Sequence, residues 1–500
     1  MKCVNRLLNY YLEKNGKNAL VNEGSRMITH NELEKESNKF ANYIIREGIR
    51  KSERVVIMMD LHIDTITVVF GVIKTGAIYV PIDKTQSKEN VEKILFEVTP
   101  TLIICNDIYL EKFEGAKCKK IIIKDGLSEY LKESDKLPNV NIISNDLLYI
   151  AFTSGTTGLP KGVMVSHRAV ITFVEAVTQN EKFHNKTTRT LCRTPISFDP
   201  FLTEVLPSVV SGGKIYIQER DATFGNFIKF IENNKITNFG CGPSQLYLMA
   251  DNLEYISNYN LSSLKEIYVG YEKCPISVIR KLQEVYPNIV FINGYGTTET
   301  FASSTFYEIP KLNHDNDIPI GNAIENEQFL ILNESKEECK CGEIGELVVR
   351  GSSLFNGYWN NTKETEKKLI INPLFPESNE LVYMTGDLVV MDENRNIYFI
   401  GRKDEQVKIN GYRVELGEIQ YVIDCFDDIK ECCVVYNDTQ LICFYSLYSK
   451  RNNIDYFLRE YCKKNLPLYK IPNKWIKVNE FPRNSNGKIC KEKLLNIYKN

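Results

Sequence analysis

Short apolar runs alternate with segments of helical spacing over most of the chain. Val55 to Met59 is a continuous apolar run that predicts a buried strand, and Thr65 to Lys74 predicts a helix stopped by Gly76. Gln86 to Val98 carries Val91, Ile94 and Leu95 at helical spacing and leads into a predicted strand over Thr101 to Cys105. Leu147 to Phe152 is another strand-like run and ends at a turn-rich loop. Phe224 to Asn234 (helix), Ile236 to Phe239 (strand) and Pro243 to Ala250 (helix) repeat the rhythm. Such alternation predicts an α/β fold with parallel sheets covered by helices on both faces. Past about Asp315 the pattern changes to short strands with glycine turns, as in Gly345 to Gly351, which predicts a smaller β-rich subdomain. The last hundred residues return to mixed α/β patterning. No internal repeat interrupts the pattern.

Composition narrows the functional classes. The 500 residues hold 62 Lys plus Arg against 64 Asp plus Glu, a net charge of −2. A dedicated nucleic-acid binder would need a basic surplus to neutralise phosphates. Hydrophobic residues at 43% and charged residues at 25% are ordinary for a globular chain and exclude a disordered one. Fourteen cysteines are scattered without a CxxC pair, so neither a zinc site nor a disulfide framework is expected. Free thiols suit a reducing compartment. Glu13 and Lys14 interrupt the first apolar stretch, and no run approaches the ~18 apolar residues of a spanning helix. The expectation is a cytoplasmic protein without membrane insertion.

Candidate chemistry concentrates in Thr153-Ser154-Gly155-Thr156-Thr157-Gly158-Leu159-Pro160-Lys161-Gly162, directly after a predicted strand. Glycines let the backbone turn so that several N–H groups converge on one anion. Four hydroxyls add donors, and Lys161 adds a cation for a polyphosphate. The loop is not a Walker A motif, because Gly162 follows the lysine where Ser or Thr would stand.

This loop resembles the phosphate loop of adenylate-forming enzymes: acyl-CoA synthetases, luciferases and the adenylation domains of nonribosomal peptide synthetases. The resemblance runs along the chain in family order. It includes Ile28-Thr29-His30-Asn31-Glu32-Leu33, Lys74-Thr75-Gly76-Ala77-Ile78-Tyr79-Val80-Pro81-Ile82-Asp83 and Asn293-Gly294-Tyr295-Gly296-Thr297-Thr298-Glu299-Thr300. Gly345-Glu346-Leu347, Tyr383-Met384-Thr385-Gly386-Asp387, Gly401-Arg402-Lys403-Asp404 and Asn486-Gly487-Lys488 follow. It implies a large N-terminal domain, residues 1–403, made of two parallel-sheet α/β subdomains and a β-rich subdomain. A small mobile α+β domain, residues 404–500, would follow, with Asp404 at the hinge.

The resemblance also implies roles. Adenylation needs a carboxylate to attack the α-phosphate of ATP while pyrophosphate leaves, so the protein must hold the triphosphate and position the nucleophile. Thr153, Ser154, Gly155, Thr156, Thr157, Gly158 and Lys161 would cradle the β- and γ-phosphates. Asn293, Tyr295, Gly296 and Thr297 would line the nucleotide site, with Tyr295 stacked on adenine. Asp387 would accept the ribose hydroxyls, Arg402 would assist there, and Glu299 would hold Mg²⁺. Lys488 would bridge the substrate carboxylate and the nucleotide, making it and Lys161 the expected catalytic residues. After adenylation the small domain would rotate. Gln406-Val407-Lys408-Ile409-Asn410-Gly411-Tyr412-Arg413 would then face the phosphopantetheine arm of a carrier protein.

Ser197-Phe198-Asp199, followed by Glu204, resembles the start of the substrate pocket. In amino-acid-activating members the matching Asp binds the α-ammonium, and a buried ammonium needs a carboxylate partner. Asp199 before Pro200 is also a good helix N-cap and N1 pair. The remaining pocket positions would be Pro200, Thr203, Gly240, Tyr268, Gly270, Gly294, Ala302 and Ser303. Small residues leave volume there, and Thr203, Tyr268 and Ser303 offer hydroxyls, favouring a medium or large side chain. The chain ends at Asn500, soon after Lys488, with no carrier-domain motif, so a stand-alone amino-acid–carrier-protein ligase loading a separate carrier is expected. Alternatives are an aryl- or acyl-CoA synthetase, a D-alanine–carrier-protein ligase, or a catalytically dead relative.

Overall fold

The first two motifs of the resemblance act as folding devices. Thr29 starts the helix His30–Arg46 with a reciprocal cap: its hydroxyl accepts from the Glu32 N–H and its own N–H donates to Glu32 Oε2 at 2.8 Å. Lys74 closes the helix Ile63–Lys74 and is fully buried, with its ammonium 2.8 Å from Glu34 Oε2 and 2.8 Å from Ser37 Oγ of the first helix. Gly76 then takes φ +72°, a left-handed turn that glycine makes without strain, and the strand Ile78–Pro81 follows.

The computed structural model describes all of the chain except residues 1, 125–128, 154–159, 180–183, 220–221, 271, 273–275, 312–316, 405, 410, 438–439, 449–453, 484–488, 490 and 500. Ser154 to Leu159 of the phosphate loop and Lys488 therefore lie outside the described residues.

Two mixed sheets form the bulk of the larger domain. The first runs Lys119–Ile123, Leu102–Asn106, Arg54–Met58, Ile78–Pro81, Leu147–Thr153, Lys161–Ser166. All its pairings are parallel except the last, where Lys161–Ser166 returns antiparallel beside Leu147–Thr153. Alternate residues of Arg54–Met58 feed two cores. Val55 and Ile57 pack with the helix Ile63–Lys74, while Val56 and Met58 pack with Val91, Ile94 and Val98 of the helix Lys88–Val98. That two-sided burial explains the continuous apolar run in the sequence.

The second sheet runs Tyr307–Ile309, Val290–Asn293, Glu266–Val269, Asn238–Cys241, Arg189–Cys192, Lys214–Ile217, Ala19–Glu23, Arg26–Thr29. Its inner pairings are parallel, and both edge strands are antiparallel. The N-terminal hairpin thus completes a sheet whose other strands lie far along the chain. A third, antiparallel sheet is built on Ile344–Gly351 and Leu381–Met391.

The remaining chain is α+β. The hairpin Gln406–Ile409 and Tyr412–Glu415 leads to the helix Leu416–Asp424 and a three-stranded sheet, Ile429–Tyr436, Leu441–Leu447 and Lys474–Lys477. This smaller domain has its own core, with Ile419, Val434, Cys443 and Leu458 at its centre. The described cysteines are free, and no helix among the described residues is long and apolar enough to cross a membrane.

Removing one member of a buried ion pair leaves the other charge without compensation. Glu34→Ala should therefore destabilise the fold by about 3–5 kcal/mol, read from the urea unfolding midpoint. A change below about 1 kcal/mol, the range of exposed pairs, would show that the Lys74 contact does not clamp the two helices.

Candidate active site

Strands of both large sheets end at one crevice, the position where open α/β sheets bind ligands. Thr153 ends one strand of the first sheet. Arg193, Gly242, Gly270 and Gly294 immediately follow strands of the second. Three cavities open there, one of them lined by Arg193 and Gly242; the other two hold most of the expected site residues.

The first, about 140 Å³, is lined by Thr153, Phe198, Asp199, Gly296, Thr297, Asp387 and Arg402, and by Lys408, Tyr412 and Arg413 of the smaller domain. The second, about 250 Å³, holds all eight expected pocket positions: Pro200, Thr203, Gly240, Tyr268, Gly270, Gly294, Ala302 and Ser303. Pro200, Gly296 and Ala302 line both, so the cavities meet at these three residues. A Cβ on Gly296 would stand 2.3 Å from the Ala302 carbonyl oxygen, so only glycine fits at that junction.

Asp199 lines the first cavity and directly precedes Pro200 of that junction. It precedes the helix Pro200–Ser211, but its side chain makes no cap hydrogen bond, so capping does not account for it. Its Oδ2 is buried without a hydrogen-bond partner, while the carboxylate accepts from the Thr298 hydroxyl. Burial pushes its pKa up to about 6, against the opposing pull of Thr298 and Lys408.

Asp387 and Arg402 form the other end of the first cavity. Asp387 is buried, accepts from Tyr295 Oη at one oxygen and pairs with Arg402 at the other. Arg402 also reaches Asp404, with Nε 2.6 Å from Oδ1 and Nη2 2.8 Å from Oδ2. Gly386, at φ +82°, permits the turn that points Asp387 inward. Tyr295 packs against Phe329 and does not line the cavity. Asn293 does not line it either, since its amide donates to the Pro319 carbonyl at 2.8 Å.

Two expected phosphate-site residues are engaged elsewhere. Lys161 turns to Glu364, 3.1 Å away, and lies over the Tyr358 ring. Glu299 is fully buried; it accepts from Tyr358 Oη at 2.7 Å and from Arg413 Nη1 at 2.7 and 2.8 Å. Burial alone would raise the Glu299 pKa, but Arg413 and Tyr358 overcome it and hold the group at about 2. Magnesium takes oxygen ligands in near-octahedral geometry. Among the described residues no three His, Cys, Asp or Glu side chains cluster to hold a metal. Glu299, the residue expected to hold magnesium, is engaged at both oxygens by Arg413 in this arrangement.

The sequence reading named Lys408 and Arg413 only as part of a surface for the carrier arm. Here Lys408 points to the Gly296 carbonyl, 3.4 Å away, and Tyr412 meets Phe198 edge-to-face with ring centroids 4.5 Å apart. Nothing in their spacing signals that this hairpin seals the larger domain's crevice. His184 and Asn238, which line the second cavity, also carry no sequence signal.

Residues 12–359 match the AMP-binding enzyme family. The chain belongs to that family of adenylate-forming enzymes. It is 31% identical over 497 residues to bacitracin synthase 2 of Bacillus licheniformis, covering 97% of this chain and 18% of that protein. It is 30% identical over 505 residues to gramicidin S synthase 1 of Brevibacillus brevis, covering 99% of this chain and 44% of that protein. The chain thus spans less than half the length of these curated relatives. Its fold is similar to an artificially fused adenylation–PCP di-domain NRPS from Klebsiella oxytoca, with TM-score 0.84 and 21% identity over 96% of this chain and 94% of that one. It is also similar to the amide bond synthetase McbA from Marinactinospora thermotolerans, with TM-score 0.86 and 18% identity over 98% and 99%. ATP-dependent adenylate formation is the chemistry of the family.

The low Glu299 pKa has a sign. A carboxylate held below its usual 4.5 contributes stability above that pH and loses it as pH falls towards 2. Arg413→Ala should remove this contribution, costing about 3–5 kcal/mol, and move acid unfolding to higher pH in a near-UV circular dichroism titration. An unchanged acid transition would show that the pair does not tie the smaller domain down.

Proposed function

We propose that this enzyme activates an amino acid as aminoacyl-AMP, releasing pyrophosphate, and passes it to the phosphopantetheine thiol of a separate carrier protein. The observation that carries this reading is the buried, unpartnered Oδ2 of Asp199, which lines the first cavity next to Pro200, a residue both cavities share. An uncompensated buried carboxylate is costly, and an α-ammonium supplies the missing partner. An aryl or fatty acid brings no such group. A cavity of about 250 Å³ is also generous for the methyl group of D-alanine.

In the first step a substrate carboxylate oxygen bonds to the α-phosphorus of ATP as the bond to pyrophosphate breaks. In the second the thiol sulfur bonds to the acyl carbon, AMP leaves and the thiol proton is lost. Thr153, Ser154, Gly155, Thr156, Thr157, Gly158 and Lys161 are assigned to the phosphates, with Lys161 released from Glu364. Asp387 and Arg402 are assigned to the ribose, and Lys488 to the charge between carboxylate and nucleotide. The domains are taken to divide at residues 403 and 404, with Asp404 as the hinge. Arg402 joins that residue to Asp387. The fused adenylation–PCP di-domain that the fold resembles supports a carrier protein as the acceptor.

Exchange of labelled pyrophosphate into ATP tests the reading. One or a few amino acids should support it, and Asp199→Ala should lower their kcat/KM by roughly 100-fold or more while sparing the des-amino analogue. Exchange driven only by aryl or aliphatic acids would contradict the assignment. The same carboxylate predicts a pH profile. Binding an ammonium needs ionised Asp199, so the amino-acid KM should rise about tenfold per pH unit below about 6. The des-amino analogue should show no such rise.

A further inference from the structure

Of the four hydroxyls that line the second cavity, Thr190 is paired with Ser208 Oγ at 3.1 Å and three donate within the protein. Thr203 Oγ1 donates to the Pro200 carbonyl at 2.8 Å, Ser303 Oγ to the Thr305 carbonyl at 3.0 Å, and Tyr268 Oη to Glu266 Oε2 at 3.2 Å. The carboxylate among the lining residues, Glu204, is engaged too. It accepts from the Thr194 hydroxyl at 2.6 Å and from the N–H groups of Thr194 and Arg193 at 3.2 and 3.1 Å.

Two polar atoms remain. Asn238, 2% exposed, is bonded through its side chain to the Tyr268 hydroxyl. The proton of that hydroxyl goes to Glu266, so the amide must meet it as a donor through Nδ2. Its Oδ1 is left buried without a partner. His184, 8% exposed, lies parallel to the Tyr268 ring, and its Nδ1 is likewise buried without a partner. Burial lowers the His184 pKa to about 4, so the imidazole is neutral near pH 7. Around these atoms the wall is carbon, supplied by Phe173, Val177, Phe239, Ile292 and Phe306.

We propose that His184 and Asn238 read the side chain of the activated amino acid, and that this side chain is mainly carbon and ends in a neutral hydrogen-bond donor, a phenol or a carboxamide. The inference rests on the amino-acid reading above. An acidic tip finds no cation on this wall among the described residues, and a basic tip finds its carboxylate already bonded. An apolar tip leaves the Asn238 oxygen buried and unpaired, which a site built to hydrogen-bond penalises strongly.

Pyrophosphate exchange by the full chain, with matched pairs, tests this: tyrosine against phenylalanine and glutamine against methionine, alongside lysine, glutamate, glycine and both alanines. Tyrosine or glutamine should exceed its apolar partner by about 100-fold or more in kcat/KM. Asn238→Leu should collapse that ratio by lowering the polar member and sparing the apolar one, and His184→Phe should do the same. The thermal shift with ATP should be retained in both variants. A charged, apolar or small amino acid as best substrate would overturn the proposal, as would equal losses for both members of a pair. If a variant fails to fold, the wild-type pair ratio decides. Exchange with aryl acids alone, or with none of the acids, would instead mean that the amino-acid reading itself fails, and this proposal with it.

Discussion

Burying one carboxylate oxygen without a partner is costly, and the crevice of this protein is arranged around such an oxygen. Asp199 Oδ2 has no hydrogen bond, and its carboxyl is pushed up to about 6 by burial. The neighbouring backbone is fixed on both sides. Pro200 starts a helix directly after it, and Gly296 lets a second segment approach so closely that no side chain fits. The proposed reaction would place the nucleotide in the first cavity, the amino-acid side chain in the second and the reacting carboxylate between them. Proximity of this kind turns a bimolecular attack into an effectively unimolecular one.

The second constraint is the hairpin of the smaller domain. Arg413 occupies both oxygens of Glu299, and Lys408 lies near Asp199 and Asp387. In this arrangement the crevice is closed by cations of the protein's own. The same positive charges that would stabilise a bound phosphate are here satisfied by protein carboxylates. The carboxylate expected to hold a metal ion is thus bonded to the hairpin of the smaller domain across the crevice.

Much of the fold was legible in the sequence because both periodicities were strong. The helix Phe224–Asn234 has the limits read from its pattern, and the run around Val55 is a strand buried on both faces. The antiparallel return of one strand and the long-range pairing of another were not legible. Lys161–Ser166 returns beside its neighbour through the phosphate loop, and Ala19–Glu23 joins a sheet whose next strand lies almost two hundred residues on. Nothing local encodes such pairings. Motif order did bring eight expected positions together, since they line one cavity. The site was not legible where chemistry depends on who is already bonded. The hydroxyls of Thr203, Tyr268 and Ser303 look available in a sequence and donate internally in the fold. His184 and Asn238 are marked only by the partners they lack.

The central claim is that Asp199 holds the substrate ammonium, and proton counting tests it most directly. Binding of a non-hydrolysable aminoacyl-sulfamoyl adenosine is to be measured by titration calorimetry at pH 6 in two buffers of different ionisation enthalpy. A carboxyl with a pKa of about 6 is half protonated there, so forming the ion pair should release about half a proton. The des-amino compound should release none. Equal proton release by both compounds would contradict the account.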